Sequence, residues 1–355
     1  MPRSKFIQEE LDYYSRQLVM VDFGLEGQSK LKKASVLIAG IGGLGSQISA
    51  QLSSMGIGHL KVADKDIVEV SNLQRQHLYS MDVINIPKVE AAKLRLSRMN
   101  PFIEIEAVPT SINSYTASKL VRGIDVVVDG LDTLKPRLAL NRACIDANVP
   151  YIFGSAITNV GSVSTIIPNE TACLECWHIG IDESKIPTCA TVGVTPSIIS
   201  LIASIEVSEV IRILIGKKAN LAGKLLFCDL NDITFEKLDL VRSDECPSCG
   251  KIVSRIKPEI IEEICGRNGK RVFIVTPNRE LTLDPFIKIN KLNDLGFTPI
   301  YTSSYGVTFC SVEENKKAIK GSIFNTGVFV IEGLDSKELV LDIYKNITGI
   351  KLNTD

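Results

Sequence analysis

Two groups of residues in this 355-residue chain carry chemistry in their types and spacing. The first opens at residues 36–45, which read V-L-I-A-G-I-G-G-L-G. Four apolar residues run straight into Gly40, Gly42, Gly43 and Gly45, and a helical pattern follows. Glycine allows the sharp turn and lets backbone N–H groups approach a phosphate with no Cβ between them. The helix behind the turn adds unpaired N–H groups and the positive end of its dipole. Asp64 follows at the end of a second strand pattern, where an acid accepts hydrogen bonds from a ribose hydroxyl. Up to this point a nicotinamide dinucleotide would fit as well as any other nucleotide. Arg75, Lys88 and Asp132 add more. Two cations can hold a triphosphate, and a carboxylate can hold Mg²⁺, which prefers oxygen ligands. Any one of these side chains reads as an ordinary solvated charge; all of them on loops of one sheet edge do not.

The second group is C-L-E-C at 173–176 with C-P-S-C at 246–249. Cys173, Cys176, Cys246 and Cys249 form two pairs of identical spacing, as a tetrahedral four-thiolate zinc site requires. The long gap between the pairs makes the metal a clip joining distant segments, a structural role with no open coordination position. Four unrelated thiols or two redox pairs are the competing readings. Cys189 stands apart, after a polar stretch and before a long apolar helix. A thiol near a helix N-terminus is a better nucleophile, although most free cysteines are simply small buried residues. We read Cys189 as a nucleophile.

These residues need a scaffold. Strand patterns at 36–39, 59–63, 104–108, 125–129 and 151–155 alternate with helical patterns at 46–55, 88–98, 115–121 and 136–147. That alternation predicts a doubly wound, Rossmann-like α/β sheet with ligands at the carboxyl ends of its strands. Strands at 161–167, 223–229 and 234–240, with a buried helix over 195–216, predict an antiparallel extension and so a mixed sheet. A boundary is expected near 250, followed by a small α+β domain over 251–355. Its expected strands are 271–276, 298–303, 306–311 and 327–332, and its expected helices 258–267, 285–295 and 336–347. The stretch C-G-R-N-G-K-R at 265–271 has the C-x5-R spacing of rhodanese-type loops. Those loops run from a strand into a helix; a helix before and a strand after are expected here, so we set that reading aside. Cys144, Cys228 and Cys310 read as core.

Taken in order, S-R-Q at 15–17, the glycine turn, D-x-D at 64–66, S-N-L-Q-R-Q at 71–76, P-K at 87–88 and D-G-L-D at 129–132 resemble the ThiF/MoeB/HesA family of ubiquitin-activating-type enzymes. The resemblance covers residues 12–250. It implies the adenylation fold of that family and the adenylation, with MgATP, of the C-terminal glycine of a ubiquitin-like or sulfur-carrier protein, releasing pyrophosphate. It implies ATP contacts at Gly43, Asp64, Ser71, Asn72, Arg75, Lys88 and Asp132. It also implies a homodimer in which Arg16 reaches the phosphates of the other subunit. Many members carry the four-cysteine zinc site, and in some a cysteine at the place of Cys189 takes the carrier as a thioester or acyl-disulfide. Where the family often has Asn after the metal-side acid, this chain has Thr133.

The remaining composition narrows the field. A formal net charge of −1 with 23 % charged residues gives no field for nucleic acid or an acidic membrane. No stretch is a secretory signal or is long enough to span a bilayer, and nine cysteines without such a signal suggest a reducing, cytoplasmic setting. With His59, His77 and His178 the only histidines, the chain suits a reaction whose attacking group is already ionised. Two other functions fit parts of the pattern. An NAD-dependent oxidoreductase explains the glycines and Asp64 but leaves Arg75, Lys88 and the cysteines idle. An ATP-dependent relative acting on a small molecule or a tRNA base would draw its specificity from the tail.

Overall fold

The computed structural model describes residues 6–178, 192–251, 259–265, 271–311 and 319–352. Short helices α1 (Gln8–Tyr13), α2 (Ser15–Leu18) and α3 (Gly24–Lys33) precede β1 (Ser35–Ala39) and α4 (Gly43–Met55). The chain continues through β2 (His59–Asp64), α5 (Lys88–Met99), β3 (Glu104–Pro109), α6 (Ser114–Leu120), β4 (Val126–Asp129), α7 (Leu134–Ala147) and β5 (Tyr151–Ile157). Then follow β6 (Val160–Ile166), α8 (Leu174–Trp177), α9 (Pro196–Leu214), β7 (Lys224–Asp229) and β8 (Thr234–Asp239). These strands form one sheet in the order β3-β2-β1-β4-β5-β6-β7-β8. The pairs from β3 through β5 are parallel, and β6, β7 and β8 add antiparallel.

Both faces of the parallel half are buried, which is why its strands read as unbroken apolar runs rather than alternating ones. Val36, Ile38, Val62 and Val128 pack against α4, α5 and α9 on one face. Leu37, Ala39, Ala63 and Val127 pack against α6 and α7 on the other. The chain leaves β1 toward β2 on one side and returns to β4 on the other, so strand order reverses between β1 and β4. A crevice opens there at the strand carboxyl ends, the usual ligand position in such sheets.

Three glycines close that crevice. A Cβ on Gly45 would lie 1.9 Å from the Gly40 carbonyl oxygen, and one on Gly130 would lie 2.2 Å from the same atom. The turn after β1, the first turn of α4 and the end of β4 therefore touch backbone to backbone. Gly40 itself takes φ +85°, a left-handed conformation that side-chain-bearing residues rarely adopt.

A second sheet follows, built from β9 (Ile261–Cys265), β10 (Arg271–Val275), β11 (Phe297–Thr302), β12 (Gly306–Ser311), β13 (Lys320–Phe324) and β14 (Phe329–Glu332). Its order is β11-β12-β13-β14-β10-β9, all antiparallel, with α10 (Pro285–Asp294) and α11 (Lys337–Thr348) beside it. Phe273, Phe309, Ile323, Phe329 and Ile331 share a core with Val340 and Tyr344 of α11.

Two expectations for this region are corrected. The helix expected over 258–267 is replaced by β9, paired with β10. Ile260, Ile261 and Ile264 have helical spacing, but the free edge of β10 recruits the segment into the sheet, and tertiary pairing outweighs local pattern. The C-x5-R stretch thus begins at the end of one strand and ends at the start of its antiparallel partner. A strand, not a helix, precedes it, and the geometry is that of a hairpin. Strand β13 has no sequence expectation at all. Its Gly321 and Ser322 are poor strand formers, yet a Cβ on Gly321 would sit 2.6 Å from the Phe309 ring, so the central position of the sheet requires the glycine.

Candidate nucleotide site and cysteine cluster

The crevice is built on Asp64, the last residue of β2. One carboxylate oxygen accepts the Ile41 N–H at 2.8 Å, and the other accepts the Asp66 N–H at 2.7 Å. Asp64 thereby ties the glycine turn to the D-K-D loop, with acceptor capacity left on both oxygens. Burial raises its proton affinity, and nearby Lys88 opposes the rise. Tyr79 braces the turn from below, its hydroxyl donating to the Ile41 carbonyl at 2.9 Å.

Asp66 is the hub that sequence reasoning missed. Lys65 Nζ lies 2.8 Å from one of its oxygens and Lys88 Nζ 2.9 Å from the other. Burial alone would raise Asp66, but these two ammonium groups hold its carboxyl well below the usual carboxylate range. Lys88, the first residue of α5, is only 5 % exposed. Burial would lower its affinity for a proton, yet Asp66 and Asp64 raise it, so it stays cationic. The D-x-D spacing reads as a motif, but it gives the second acid no role, because the spacing does not show which cations meet it.

Arg75 donates to the Ser71 carbonyl at 2.9 Å, folding back on the 3-10 turn of Val70–Asn72. Asn72 is buried and accepts the Glu69 N–H, while Ser71 is exposed. Asp132 is exposed on the loop after β4 and close enough to Lys65 and Arg137 to raise the proton affinity of both. Thr133 is the residue before α7, and its side chain makes no capping bond. Buried Asp129 fixes that loop, accepting from the Leu131 N–H at 2.8 Å and the Tyr151 hydroxyl at 2.7 Å. Arg137 Nε lies 3.0 Å from it.

The crevice has features a nucleotide would use. A Cβ on Gly42 would meet nothing closer than Gln76 Nε2 at 3.8 Å, an ordinary contact, so the protein's own packing does not itself require glycine there. Gly43 starts α4. Gln76 is buried, and its Oε1 has no hydrogen-bond partner among the described residues, an acceptor suited to a ligand hydroxyl or amino group. Gln76 is a further residue the sequence reading left unassigned. The structure therefore gathers Gly40, Gly42, Gly43, Gly45, Asp64 and Lys88, with Asp132 near enough for its charge to act on Lys65. Arg16 is exposed on α2 and forms no bond to this group among the described residues. Cys189 lies outside the described residues.

The four cysteines form a separate cluster. Their sulfur atoms all lie within 4.8 Å of one another. Cys173–Cys246, Cys176–Cys249 and Cys173–Cys176 are 3.5, 3.4 and 3.8 Å apart. A tetrahedral zinc with Zn–S bonds of about 2.3 Å needs sulfurs roughly 3.8 Å apart, so the spacing fits the metal and is far too long for disulfides. Burial and the Cys176 contact push Cys249 up to about 11 in the thiol cluster. Four anions would not share this space without a cation among them. Cys173 precedes α8, and Gly250 permits the second knuckle: a Cβ there would lie 2.4 Å from the Asp244 carbonyl oxygen.

Comparison with known proteins adds to this geometry. Residues 14–248 match the family model described as the ThiF family. The sulfur carrier protein adenylyltransferase of Thermus thermophilus is 34 % identical over 268 residues, 74 % of this chain and 99 % of that protein. The SAMP-activating enzyme E1 of Haloferax volcanii is 35 % identical over 243 residues, 68 % of this chain and 90 % of that protein. Among solved structures, Escherichia coli MccB with MccA-N7isoASN superposes with a TM-score of 0.60 at 26 % identity, covering 67 % of this chain and 75 % of that one.

Proposed function

This chain belongs to the ThiF family, and on that premise we propose that it uses ATP to adenylate the C-terminal carboxylate of a small ubiquitin-like or sulfur-carrier protein ending in Gly-Gly. The observation that carries the reading is the gathering of Lys88, Lys65 and Asp66 beside the glycine turn and Asp64, with Asp132 opposite. The turn and the start of α4 bind phosphate through backbone N–H groups, and Asp64 takes the ribose. A carboxylate oxygen of the carrier attacks the α-phosphorus, the bond from that phosphorus to the β-phosphate bridging oxygen breaks, and pyrophosphate leaves. The product is an acyl-adenylate.

No general base is needed, because the attacking carboxylate is ionised at neutral pH. What the reaction needs is neutralisation of repelling negative charges, and Arg75 and Lys88 supply it. Asp132 would hold Mg²⁺, which supplies charge stabilisation on the departing pyrophosphate. The four cysteines would hold zinc as a structural clip. Residues 1–250 form the adenylating unit in this reading, and 251–355 a small appended unit.

The reading extends to a homodimer in which Arg16 serves the partner's phosphates. In support, Arg16 is exposed and is followed by exposed Val19, Met20 and Val21. Cys189 would take the activated carrier in a later thiol step. No helix among the described residues is long and apolar enough to cross a membrane, in keeping with a cytoplasmic location.

The test is ATP–pyrophosphate exchange with and without the cell's own small Gly-Gly-ended proteins. Stimulation by one of them is expected. No stimulation by any of them, with tight NADH binding in place of ATP binding, would return the chain to the oxidoreductases.

A further inference from the structure

A buried side-chain amide leaves water behind and must recover its hydrogen bonds inside the protein. Most of those among the described residues do. Gln28 donates to the Met55 carbonyl at 2.9 Å, Asn72 accepts the Glu69 N–H at 3.2 Å, and Asn100 donates to the Ser53 carbonyl at 2.7 Å. Asn113 accepts the Tyr115 N–H and Asn141 the Leu174 N–H, both at 3.0 Å. Gln76 differs. It is 2 % exposed, and neither its Oε1 nor its Nε2 is hydrogen-bonded to a described residue.

Its place is fixed all the same. The Gln76 N–H donates to the Asn72 carbonyl at 3.0 Å, and its carbonyl accepts the Tyr79 N–H at 3.1 Å. The residues that follow it are tied to both sides of the glycine turn. His77 Nδ1 lies 2.9 Å from Gln47 Nε2 of α4, and the Tyr79 hydroxyl donates to the Ile41 carbonyl at 2.9 Å. The Gln76 side chain is thereby laid against the turn itself: Nε2 is the nearest atom to a Cβ built on Gly42, at 3.8 Å. The fold holds an amide beside the turn and takes no hydrogen bond from it.

Building on the adenylation reading above, we propose that Gln76 is a nucleotide-binding residue whose Nε2 donates to a phosphate oxygen seated at the glycine turn. Nε2 stands beside Gly42, where the turn passes into the unpaired N–H groups that open α4, so an anion drawn to those groups comes within its reach. Phosphate oxygens accept, and an amide nitrogen donates. The amide is also neutral. Lys65 and Lys88 each share their charge with Asp66, whereas Gln76 has no resident partner to leave, and it is in place before a ligand arrives.

The experiment uses the full chain and measures equilibrium binding of a non-hydrolysable ATP analogue and, by competition, of adenosine, which has no phosphate. Melting temperature is read in parallel. Gln76→Met keeps the length of the side chain and removes both polar atoms. It is expected to bind the analogue roughly ten- to a hundredfold more weakly, the loss of one hydrogen bond to a charged group, and to bind adenosine as wild type does. Its melting temperature is expected to equal or exceed that of wild type, because an unbonded buried amide has been removed. A side chain that serves the fold would give the opposite sign. Gln76→Leu should behave alike and guards against a packing fault peculiar to methionine. Three results overturn the proposal: wild-type affinity for the analogue, equal losses for the analogue and adenosine, or a melting temperature several degrees down in both variants. The amide would then serve a buried water or the fold. A wild-type chain that binds no ATP analogue overturns the adenylation reading instead, and the proposal with it.

Discussion

Gly42 and Gly45 sit three residues apart, and the structure separates their duties so sharply that one methyl group distinguishes ligand binding from folding. At Gly45 an added Cβ would lie 1.9 Å from the Gly40 carbonyl oxygen and 2.9 Å from its carbon. Both are backbone atoms, so β1 and α4 must separate. Overpacking of this kind costs about 3 kcal/mol or more, and at ~2–4 °C per kcal/mol for a unit of this size the melting temperature of Gly45→Ala should fall by roughly 6–12 °C. At Gly42 the nearest atoms are 3.8 and 3.9 Å away, ordinary contact, and φ is −84°. Gly42→Ala should therefore lose clearly less melting temperature than Gly45→Ala, its ψ of −139° being the remaining cost to an alanine. Its methyl would occupy the space a phosphate oxygen needs. Losing one charge-assisted hydrogen bond is worth about 1.5–3 kcal/mol, so ATP should bind roughly ten- to a hundredfold more weakly. Differential scanning fluorimetry and analogue titration on both variants measure the two effects. ATP affinity unchanged in Gly42→Ala would refute a phosphate at this turn, and wild-type stability in Gly45→Ala would refute the packing.

Four further outcomes are expected. Arg75→Ala and Asp132→Ala should each abolish carrier-stimulated pyrophosphate exchange with the circular dichroism spectrum unchanged; near-normal exchange would remove both from the reaction. Cys246→Ser should release zinc, measured by metal analysis, and lower the melting temperature by several degrees. Cys189→Ala should leave exchange intact and stop only the later capture of the carrier on a thiol, read by non-reducing electrophoresis. Glu206 on α9 is fully buried against Gly154, its two oxygens have no hydrogen-bond partner among the described residues, and burial raises its proton affinity well above the usual carboxylate range. The folded state then holds a proton that the unfolded state releases above about pH 4.5. Stability should fall as pH rises from there toward the folded value, by up to about 1.4 kcal/mol per pH unit. Urea unfolding of Glu206→Gln between pH 5.5 and 7.5 should show a shallower slope than wild type.

The nucleotide-binding half was legible because each signal there had a local cause. Apolar runs such as V-V-V at 126–128 mark strands covered on both faces, and Gly40 and Gly45 mark a turn where two backbones meet. The cysteine pairs were legible for the same reason, since equal spacing encodes equal knuckles. Asp66 escaped because its role is collective: nothing in D-K-D says that a lysine twenty-two residues on will bond the second acid. The C-terminal sheet was harder. Strand β13 is a strand because β12 and β14 flank it, and β9 is a strand because β10 has a free edge. Neither fact is local. Nor does any residue near 301 or 303 announce that its partner is Glu90 on the far side of the chain.

A site for a polyanion that places acids among its cations looks at first like a contradiction. An ammonium group as buried as Lys88 would lose several kcal/mol of hydration with nothing in return and would surrender its proton instead. Asp66 prevents that before any ligand arrives, holding both Lys65 and Lys88 charged and in fixed positions. The cost is attraction diverted from the phosphates, and the geometry limits it: each lysine uses one of its three N–H donors on Asp66 and keeps two for a ligand. In the proposed reading, a triphosphate entering beside the glycine turn would meet charges that need no reorganisation, the condition under which electrostatic stabilisation of a departing pyrophosphate is largest.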